Sequence, residues 1–248
     1  GSHAWSGAAL SAAAVYMQDK SSALFTNTVF GNNAGYALHA SKNARLDGFA
    51  NNTFESNERV MHLYPDRVGE LTGTSTVIGN DLDRIHVAFG NNDAVSVPAV
   101  WKDLGVPYEI TTRFYVKANL TVAAGVTIET AQDVQIVVEE EGSLATTGTE
   151  DAKVTFRGME SVASGYWAGI HFKSASPSNQ LTHAVFEFTG SMRWNGRGDS
   201  SAGLFLASGA LLSLTNVDIG PGGGYGIYLS AEDSILSCSN VRFSSMAD

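Results

Sequence analysis

The sequence predicts an all-β solenoid, in which the chain winds through coils of about 24 residues. The first observation is a duplication: residues 25–33 recur as residues 49–57, with matched Phe and Asn positions 24 residues apart. The second is a short strand, Met61-His62-Leu63, that returns 24 residues later as Ile85-His86-Val87. A third is the pair of segments that begin at Asn216 and Asn240, also 24 residues apart. A fixed period of this size is typical of solenoids.

Within each repeat, apolar and polar residues alternate with the period of two that is typical of strands. We expect strands of successive coils to pair in parallel about 4.8 Å apart, with like residues stacked on like. Asn27 and Asn51 precede strands and are predicted to lie at bends, where an asparagine amide can bond to a neighbouring coil. The residues predicted to point inward and form the core are Phe30, Phe54, Ile78, Met61 and Ile85.

The repeat spans both ends of the chain, so residues 4–248 are predicted to form one β-helical domain. We expect this domain to be part of a longer protein, and residues 1–3 resemble the remnant of an expression tag. Residues 8–16 are apolar and fit either a capping helix or an imperfect first coil. After a bend at residues 91–100, the coils of residues 101–190 become longer and less regular.

The short unit returns as three strands that share one frame, Gly169-Ile170-His171-Phe172, Gly203-Leu204-Phe205-Leu206 and Gly226-Ile227-Tyr228-Leu229. The first two are 34 residues apart, which leaves room for an inserted loop. We assign that loop to residues 191–199, which include Trp194.

Composition restricts the classes of partner. The chain of 248 residues has 15 Lys and Arg residues against 25 Asp and Glu, a formal net charge of -10. This disfavours nucleic acids and anionic membranes, since both bind basic faces. No apolar stretch approaches the roughly 18 residues needed to insert into a membrane. The one cysteine, Cys238, excludes a disulfide within the chain.

With these units laid out, the chain resembles right-handed parallel β-helix proteins of the pectate-lyase-like superfold. Residues 101–190 are similar to a segment found in bacterial secreted and cell-surface β-helix proteins. The residues that carry this resemblance are Trp101, Gly105, Pro107-Tyr108, residues 120–126, residues 142–149, Val154-Thr155-Phe156, residues 165–172, Asn179 and Leu181. The resemblance implies an extracellular or cell-surface location, and it is far more specific for fold than for function.

The enzymes of that superfold carry recognisable motifs, and these are missing. The sequence contains no Gly-His-Gly, Asp-Pro-His, Arg-x-Lys or paired Asp motif. Arg84-Ile85-His86 comes nearest but lacks carboxylates beside it in the sequence. An enzymatic alternative, a polysaccharide lyase, hydrolase or epimerase, would therefore use an unrecognised site, for which His171, Arg193 and Asp199 are candidates.

The candidate glycan-binding residues are the outward aromatic and imidazole side chains of the repeated strands. They are His62, His86, His171, Phe205, Tyr228 and Trp194. We expect them to lie in line on one sheet face, where flat amphipathic rings can stack on sugars. The alternative is that the loop of residues 191–199 covers Phe205 and Tyr228, and that the histidines form a surface row.

Metal ligands are sparse. His62 and His86 are one coil apart, but no third ligand recurs with them. Asp81 and Asp83 are candidate calcium ligands, as are the three glutamates of residues 139–141, although a solvated turn explains both groups. No cofactor other than calcium is expected.

The favoured hypothesis is a non-catalytic extracellular module for surface presentation, adhesion or glycan binding. The alternatives are the enzyme described above and a purely structural solenoid that presents rows such as Thr28, Asn52 and Thr76. Each version needs its end coils covered by a helix, a neighbouring domain or another subunit.

Overall fold

The computed structural model describes residues 13–71, 74–87, 90, 92–159, 163–194 and 200–247. In these ranges nearly every element is a parallel strand, and the chain forms a parallel β-helix of about 9 turns with about 24 residues between turns. The predicted all-β solenoid is confirmed. Among the described residues there is one helix, α1 (Pro65–Val68), and no helix long and apolar enough to cross a membrane.

Short strands make up the first five coils. They are β1 (Ala13–Met17), β2 (Ser22–Thr26), β3 (Val29–Gly31), β4 (Tyr36–Ala40), β5 (Arg45–Ala50), β6 (Thr53–Glu55), β7 (Arg59–Leu63), β8 (Thr76–Ile78), β9 (Leu82–His86), β10 (Asp93–Val95), β11 (Ala99–Trp101), β12 (Tyr108–Ile110) and β13 (Phe114–Val116). Strand β1 pairs with β4 in parallel, so Ala13–Met17 belongs to a first coil rather than a capping helix, while residues 8–12 lie outside the described residues.

The later strands are generally longer. They are β14 (Asn119–Ala123), β15 (Thr127–Thr130), β16 (Gln135–Val138), β17 (Ser143–Thr147), β18 (Val154–Gly158), β19 (Gly169–Phe172), β20 (Gln180–Thr182), β21 (Ala184–Phe186), β22 (Ala202–Leu206), β23 (Leu211–Ile219), β24 (Gly222–Gly223), β25 (Tyr225–Leu229), β26 (Ile235–Phe243) and β27 (Met246–Ala247).

Three stacks of parallel strands form the walls of the helix. Sheet 1 runs through β1, β4, β7, β9, β12, β15, β18 and β21 to the second half of β23. Sheet 2 is β10, β13, β16, β19, β22 and β25. Sheet 3 runs through β11, β14, β17 and β20 to the first half of β23, which bends at Asn216 and so joins sheets 1 and 3. Strands β2 with β5, and β3 with β6 and β8, line the early coils.

The core is a set of rows in which each side chain lies over its counterpart one coil away. One row of sheet 1 contains Leu38, Met61, Ile85, Tyr108, Ile128, Phe156, Phe186 and Ile219. All of these residues are buried. The rings of Phe156 and Phe186 stack with centroids 4.8 Å apart. The inward positions predicted for Met61 and Ile85 are confirmed.

The prediction for Ile78 is wrong. Phe30 stacks on Phe54 with ring centroids 4.6 Å apart, but the residue next in register is Val77. Ile78 points outward and is 60% exposed. The third interval is one residue shorter than the first, because Asn80 lies 23 residues after Asn57 and bonds to it. A shift of one residue in a strand moves a side chain to the opposite face.

Asparagines secure the corners of the early coils. Asn27 and Asn51 have φ angles of 52° and 55°, which confirms the predicted bends, because Asn tolerates this left-handed region better than most residues. The residue after each bend follows a different rule. Asn52, expected to point outward, is buried; its Oδ1 accepts from the Thr28 N–H and its Nδ2 donates to the Phe25 carbonyl.

A second asparagine row crosses three coils. The Asn57 Nδ2 donates to the Phe30 carbonyl at 3.0 Å and to Asn80 Oδ1 at 2.8 Å. Its own Oδ1 accepts from Asn33 Nδ2 at 2.6 Å. Asn57 is 1% exposed, so these bonds replace water for groups that would otherwise be buried without partners.

Helix α1 interrupts the strand pattern and is tied to the coils on both sides. The Asp66 carboxylate accepts from the N–H groups of Ser96 and Val97, on the segment between β10 and β11. The Glu70 carboxylate, just after the helix, accepts from the Leu46 N–H in β5 at 2.7 Å. The two acids satisfy backbone donors that a strand at this place would have paired.

Substitution Asn57→Ala is expected to lower the free energy of unfolding by about 3 kcal/mol, because it leaves several buried polar groups without partners. The measurement is urea unfolding followed by circular dichroism. The matched control is Asn119→Ala, which removes an exposed amide that accepts one bond from Ser143 and is expected to cost less than about 1 kcal/mol. Equal losses in the two variants would contradict the role assigned to the buried row.

Candidate functional site

The predicted binding residues lie on two different walls. His62 and His86 belong to strands of sheet 1, whereas His171, Phe205 and Tyr228 belong to strands of sheet 2. The expectation that they line one face is wrong. A repeat period says which residues stack, but it does not say which of three walls a strand occupies after coils of unequal length.

On sheet 1 the histidines form a longer row than expected. Tyr16, His39, His62 and His86 are register partners, and successive ring centroids are 4.5, 4.8 and 4.6 Å apart. His39 and His62 are buried although they point away from the core. Burial lowers the pKa of His39 to about 4. His39 carried a sequence signal, its place 23 residues before His62, but its register was ambiguous.

The same row continues into charged residues, and we call Arg84, His86, Glu109, Glu129 and Arg157 the charged row. Glu109 is the register partner of both His86 and Glu129, and Glu129 is the partner of Arg157. The His86 Nδ1 lies 3.0 Å from Glu109 Oε2. Glu129 pairs with Arg157 Nη2 at 2.7 Å and with Arg84 Nε at 3.0 Å.

These carboxylates are the companions that Arg84-Ile85-His86 lacks in the sequence. They come from the next two coils, 23 and 20 residues beyond each preceding partner, so no local motif reveals them. Burial by itself would raise the pKa of Glu109, but the hydrogen bond and charge of His86, together with Arg84 and Arg59, hold that pKa below its usual value. Glu109 is therefore an ionised acceptor that can orient an imidazole, not a proton donor.

On sheet 2 the rings form what we call the aromatic platform, which consists of His171, Trp194, Phe205, Tyr225 and Tyr228. The Phe205 and Tyr228 rings are parallel, with centroids 5.4 Å apart, and His171 meets Phe205 edge-on at 4.9 Å. Tyr225 lies 5.8 Å from Tyr228 and is 51% exposed. The outer surface of the platform is thus an accessible pair of tyrosines above a buried phenylalanine.

Trp194 covers one end of the platform. Its ring lies 5.4 Å from His171 and 5.9 Å from Phe205, and its Nε1 donates to the Ala202 carbonyl at 2.9 Å. The loop therefore covers Phe205, which is 4% exposed, as the alternative interpretation predicted, whereas Tyr228 stays half-buried. Of the proposed enzymatic residues, Arg193 lies in a bridge to Ser201, and Asp199 falls outside the described residues.

The His171 imidazole is enclosed by these rings. Burial, with a smaller contribution from Lys173, lowers the pKa of His171 to about 4. Its Nε2 is buried and makes no hydrogen bond to the described part of the chain. At neutral pH this ring is therefore uncharged and acts as part of an apolar stack.

The candidate calcium ligands do not converge with other acids. The Asp83 carboxylate accepts from the Asn80 N–H and from Asn80 Nδ2, which uses it to close a turn. Asp81 lines a shallow concavity beside Asn33 and Glu58. Glu139 is paired with Lys173 at 3.1 Å. In the described residues no three metal-binding side chains lie together, and the calcium site stays a prediction.

Two concavities lie away from both walls' central rows. One of about 620 Å³ opens beside α1, where Asp66 and Glu70 face the segment that leads into β11. The other, of about 280 Å³, lies at the corner between sheets 1 and 3 and is lined by Glu150, Lys153, His183, Asn216, Asp218, Asn240 and Arg242. Its central charges are already paired, since Lys153 Nζ lies 2.7 Å from Asp218.

Compared with protein-family models, with curated proteins and with solved structures, the chain shows no significant match. The fold is therefore established by the strand pairing itself, and the function has to be argued from the two walls.

Substitution Glu129→Ala is expected to lower the free energy of unfolding by about 3 kcal/mol, because it leaves two partly buried guanidinium groups without their shared partner. The matched control is Asp47→Ala, which breaks the exposed Arg45–Asp47 pair and is expected to cost less than about 0.5 kcal/mol. Thermal and urea unfolding would measure both. A loss for Glu129→Ala as small as that of the control would refute a stabilising role for the charged row.

Acid is expected to destabilise the fold through His171. The unfolded imidazole titrates near its ordinary pKa of 6.5 and the folded one near 4, so between these values the unfolded state binds more protons. Stability is complete above about pH 6.5 and falls by up to about 3 kcal/mol as the pH drops to about 4. His39, whose pKa is lowered in the same way, adds to this loss.

The measurement is the free energy of unfolding against pH for the wild type and for His171→Phe, which should lose less stability on acidification. Tyr228→Phe is the control, since it alters the same platform without removing an imidazole. If His171→Phe and the wild type show parallel pH curves, the buried imidazole is not the source of the acid sensitivity.

Proposed function

We propose that this chain is a non-catalytic, extracellular or cell-surface β-helix module that binds a glycan on its aromatic platform. The observation that carries the proposal is the stack of Phe205 and Tyr228 with the exposed Tyr225 beside it. The resemblance of residues 101–190 to β-helix segments of bacterial surface proteins supports the location.

Ring stacking is the chemistry that suits such a surface. A tyrosine offers an apolar face to the C–H side of a sugar and a hydroxyl to its polar edge. The platform is held rigidly, because Phe205 and Tyr228 lie on paired strands of one sheet and Trp194 is fixed to the Ala202 carbonyl. A preorganised surface loses little conformational entropy when a ligand binds.

Polar groups lie along the side of the platform. Lys173, two residues after His171 in the chain, has its Nζ 3.1 and 3.2 Å from the Glu139 carboxylate oxygens. Arg193, next to Trp194, is exposed. Together they provide hydrogen-bond donors and acceptors for sugar hydroxyls beside the rings.

The carboxylates of the chain favour binding over glycosidic cleavage. Hydrolysis with two carboxylates needs one that stays protonated as the acid. Glu109 and Glu129 face each other in register, but His86 and Arg84 keep the pKa of Glu109 low, and two arginines hold Glu129. Neither is arranged as a proton donor, so a glycosidase is the weaker candidate.

We also propose that a neighbouring domain or a second subunit packs on the last coil. Ile235 and Phe243 in β26 are 58% and 52% exposed, and Leu229 in β25 is 43% exposed. Apolar groups of this size at the end of a solenoid favour a covering element.

Glycan binding is tested by screening a polysaccharide array and measuring affinity for each ligand found by calorimetry. Tyr225→Ala and Tyr228→Ala are each expected to weaken binding about tenfold, since each removes a stacking contact of about 1.4 kcal/mol. The matched control is Tyr16→Ala, which removes a tyrosine that is 40% exposed and stacked on a histidine, but on sheet 1.

Control and wild type should bind alike. Equal weakening by all three substitutions would place the binding surface elsewhere. An array without any bound glycan, together with cleavage of any polymer on it, would overturn the non-catalytic proposal.

A further inference from the structure

Independently of the glycan platform, we propose that Thr111, His86 and Glu109 form a nucleophile, base and orienting acid on sheet 1, and that this site hydrolyses small carboxylic esters. The proposal starts from three side chains in one line. Glu109 Oε2 lies 3.0 Å from His86 Nδ1, and His86 Nε2 lies 3.5 Å from Thr111 Oγ1.

The fold brings these groups together from adjacent coils. His86 ends β9 and is the register partner of Glu109 in β12. Thr111 directly follows β12, two residues beyond Glu109, so its side chain emerges on the same outer face. The imidazole thus lies between an acid directly opposite and a hydroxyl diagonally opposite.

The hydrogen bond to Glu109 determines the state of the imidazole. An ionised carboxylate at Nδ1 accepts that nitrogen's proton and leaves Nε2 as the free base. Glu109 is held ionised by its neighbours, in agreement with its lowered pKa. The lone pair of Nε2 is then available to the Thr111 hydroxyl, and 3.5 Å is a distance that such contacts show before substrate binds.

The surroundings suit a small substrate. The side chains of His86 and Glu109 are 15% and 16% exposed, and Thr111 is half-buried, so solvent reaches the group without flooding it. Arg84 Nη1 lies 4.0 Å from Glu109 Oε1 and supplies positive charge beside the dyad. A cation there favours the negative oxygen that develops when an ester carbonyl is attacked.

The reaction requires only the ester and water. Thr111 Oγ1 bonds to the carbonyl carbon while His86 Nε2 takes the hydroxyl proton. The C–O bond to the alcohol then breaks, and the alcohol leaves with the proton from His86. Water, deprotonated by His86, attacks the acyl-threonine, and cleavage of the Thr111 ester releases the carboxylic acid and restores the hydroxyl.

The test is hydrolysis of p-nitrophenyl acetate by the whole chain, followed by release of nitrophenol. Thr111→Ala and His86→Gln are expected to lower the rate about 100-fold or more, and Glu109→Gln about tenfold or more. The matched control is Thr127→Ala, another half-buried threonine on sheet 1, which should leave the rate unchanged. Wild-type activity should rise with pH as imidazole loses its proton.

Wild-type hydrolysis no faster than that of Thr111→Ala, or no faster than buffer, overturns the proposal. Should a variant fail to fold, peptide mapping of wild type quenched in acid during turnover decides the question. An acetyl group on Thr111 supports the site, and acetylation confined to lysines overturns it. Loss of glycan binding would leave these outcomes unaffected, since the platform lies on sheet 2.

Discussion

The structure depends on one constraint, the parallel pairing of each strand with the strand one coil away in a fixed register. Because register partners lie one strand spacing apart, every position becomes a row of similar side chains. The row from Leu38 to Ile219 fills the core, and the row from Asn33 to Asn80 satisfies buried corners. A residue that suits one coil must therefore also suit the coils above and below it.

The same constraint assembles the two candidate sites from residues distant in sequence. On sheet 2 it stacks His171, Phe205 and Tyr228 into a flat apolar surface. On sheet 1 it places His86 opposite Glu109, and Glu129 between two arginines. Buried charges persist only when they are paired, which is why carboxylate and cation alternate there. One wall thus suits stacking, and the other suits proton transfer.

Sequence reasoning succeeded where the period was regular and failed where it slipped. Met61 and Ile85 were correctly assigned to the core, and Asn27 and Asn51 to bends, because their intervals are uniform. Ile78 was assigned to the wrong face because one coil is a residue shorter, which inverts the side-chain direction. The charged row went unnoticed, since its members share no residue type that would reveal a repeat.

By itself the sequence determined the class of fold, the approximate coil length and the residues that stack in regular coils, because these follow from periodicity alone. Only the tertiary structure decided which wall each strand occupies, that the histidines of residues 62 and 86 lie on a different wall from His171, and that His86 lies between Glu109 and Thr111. The physical reason is that loops and helix α1 change the length of individual coils. Register across coils is fixed by packing and hydrogen bonding between them, which no single segment encodes.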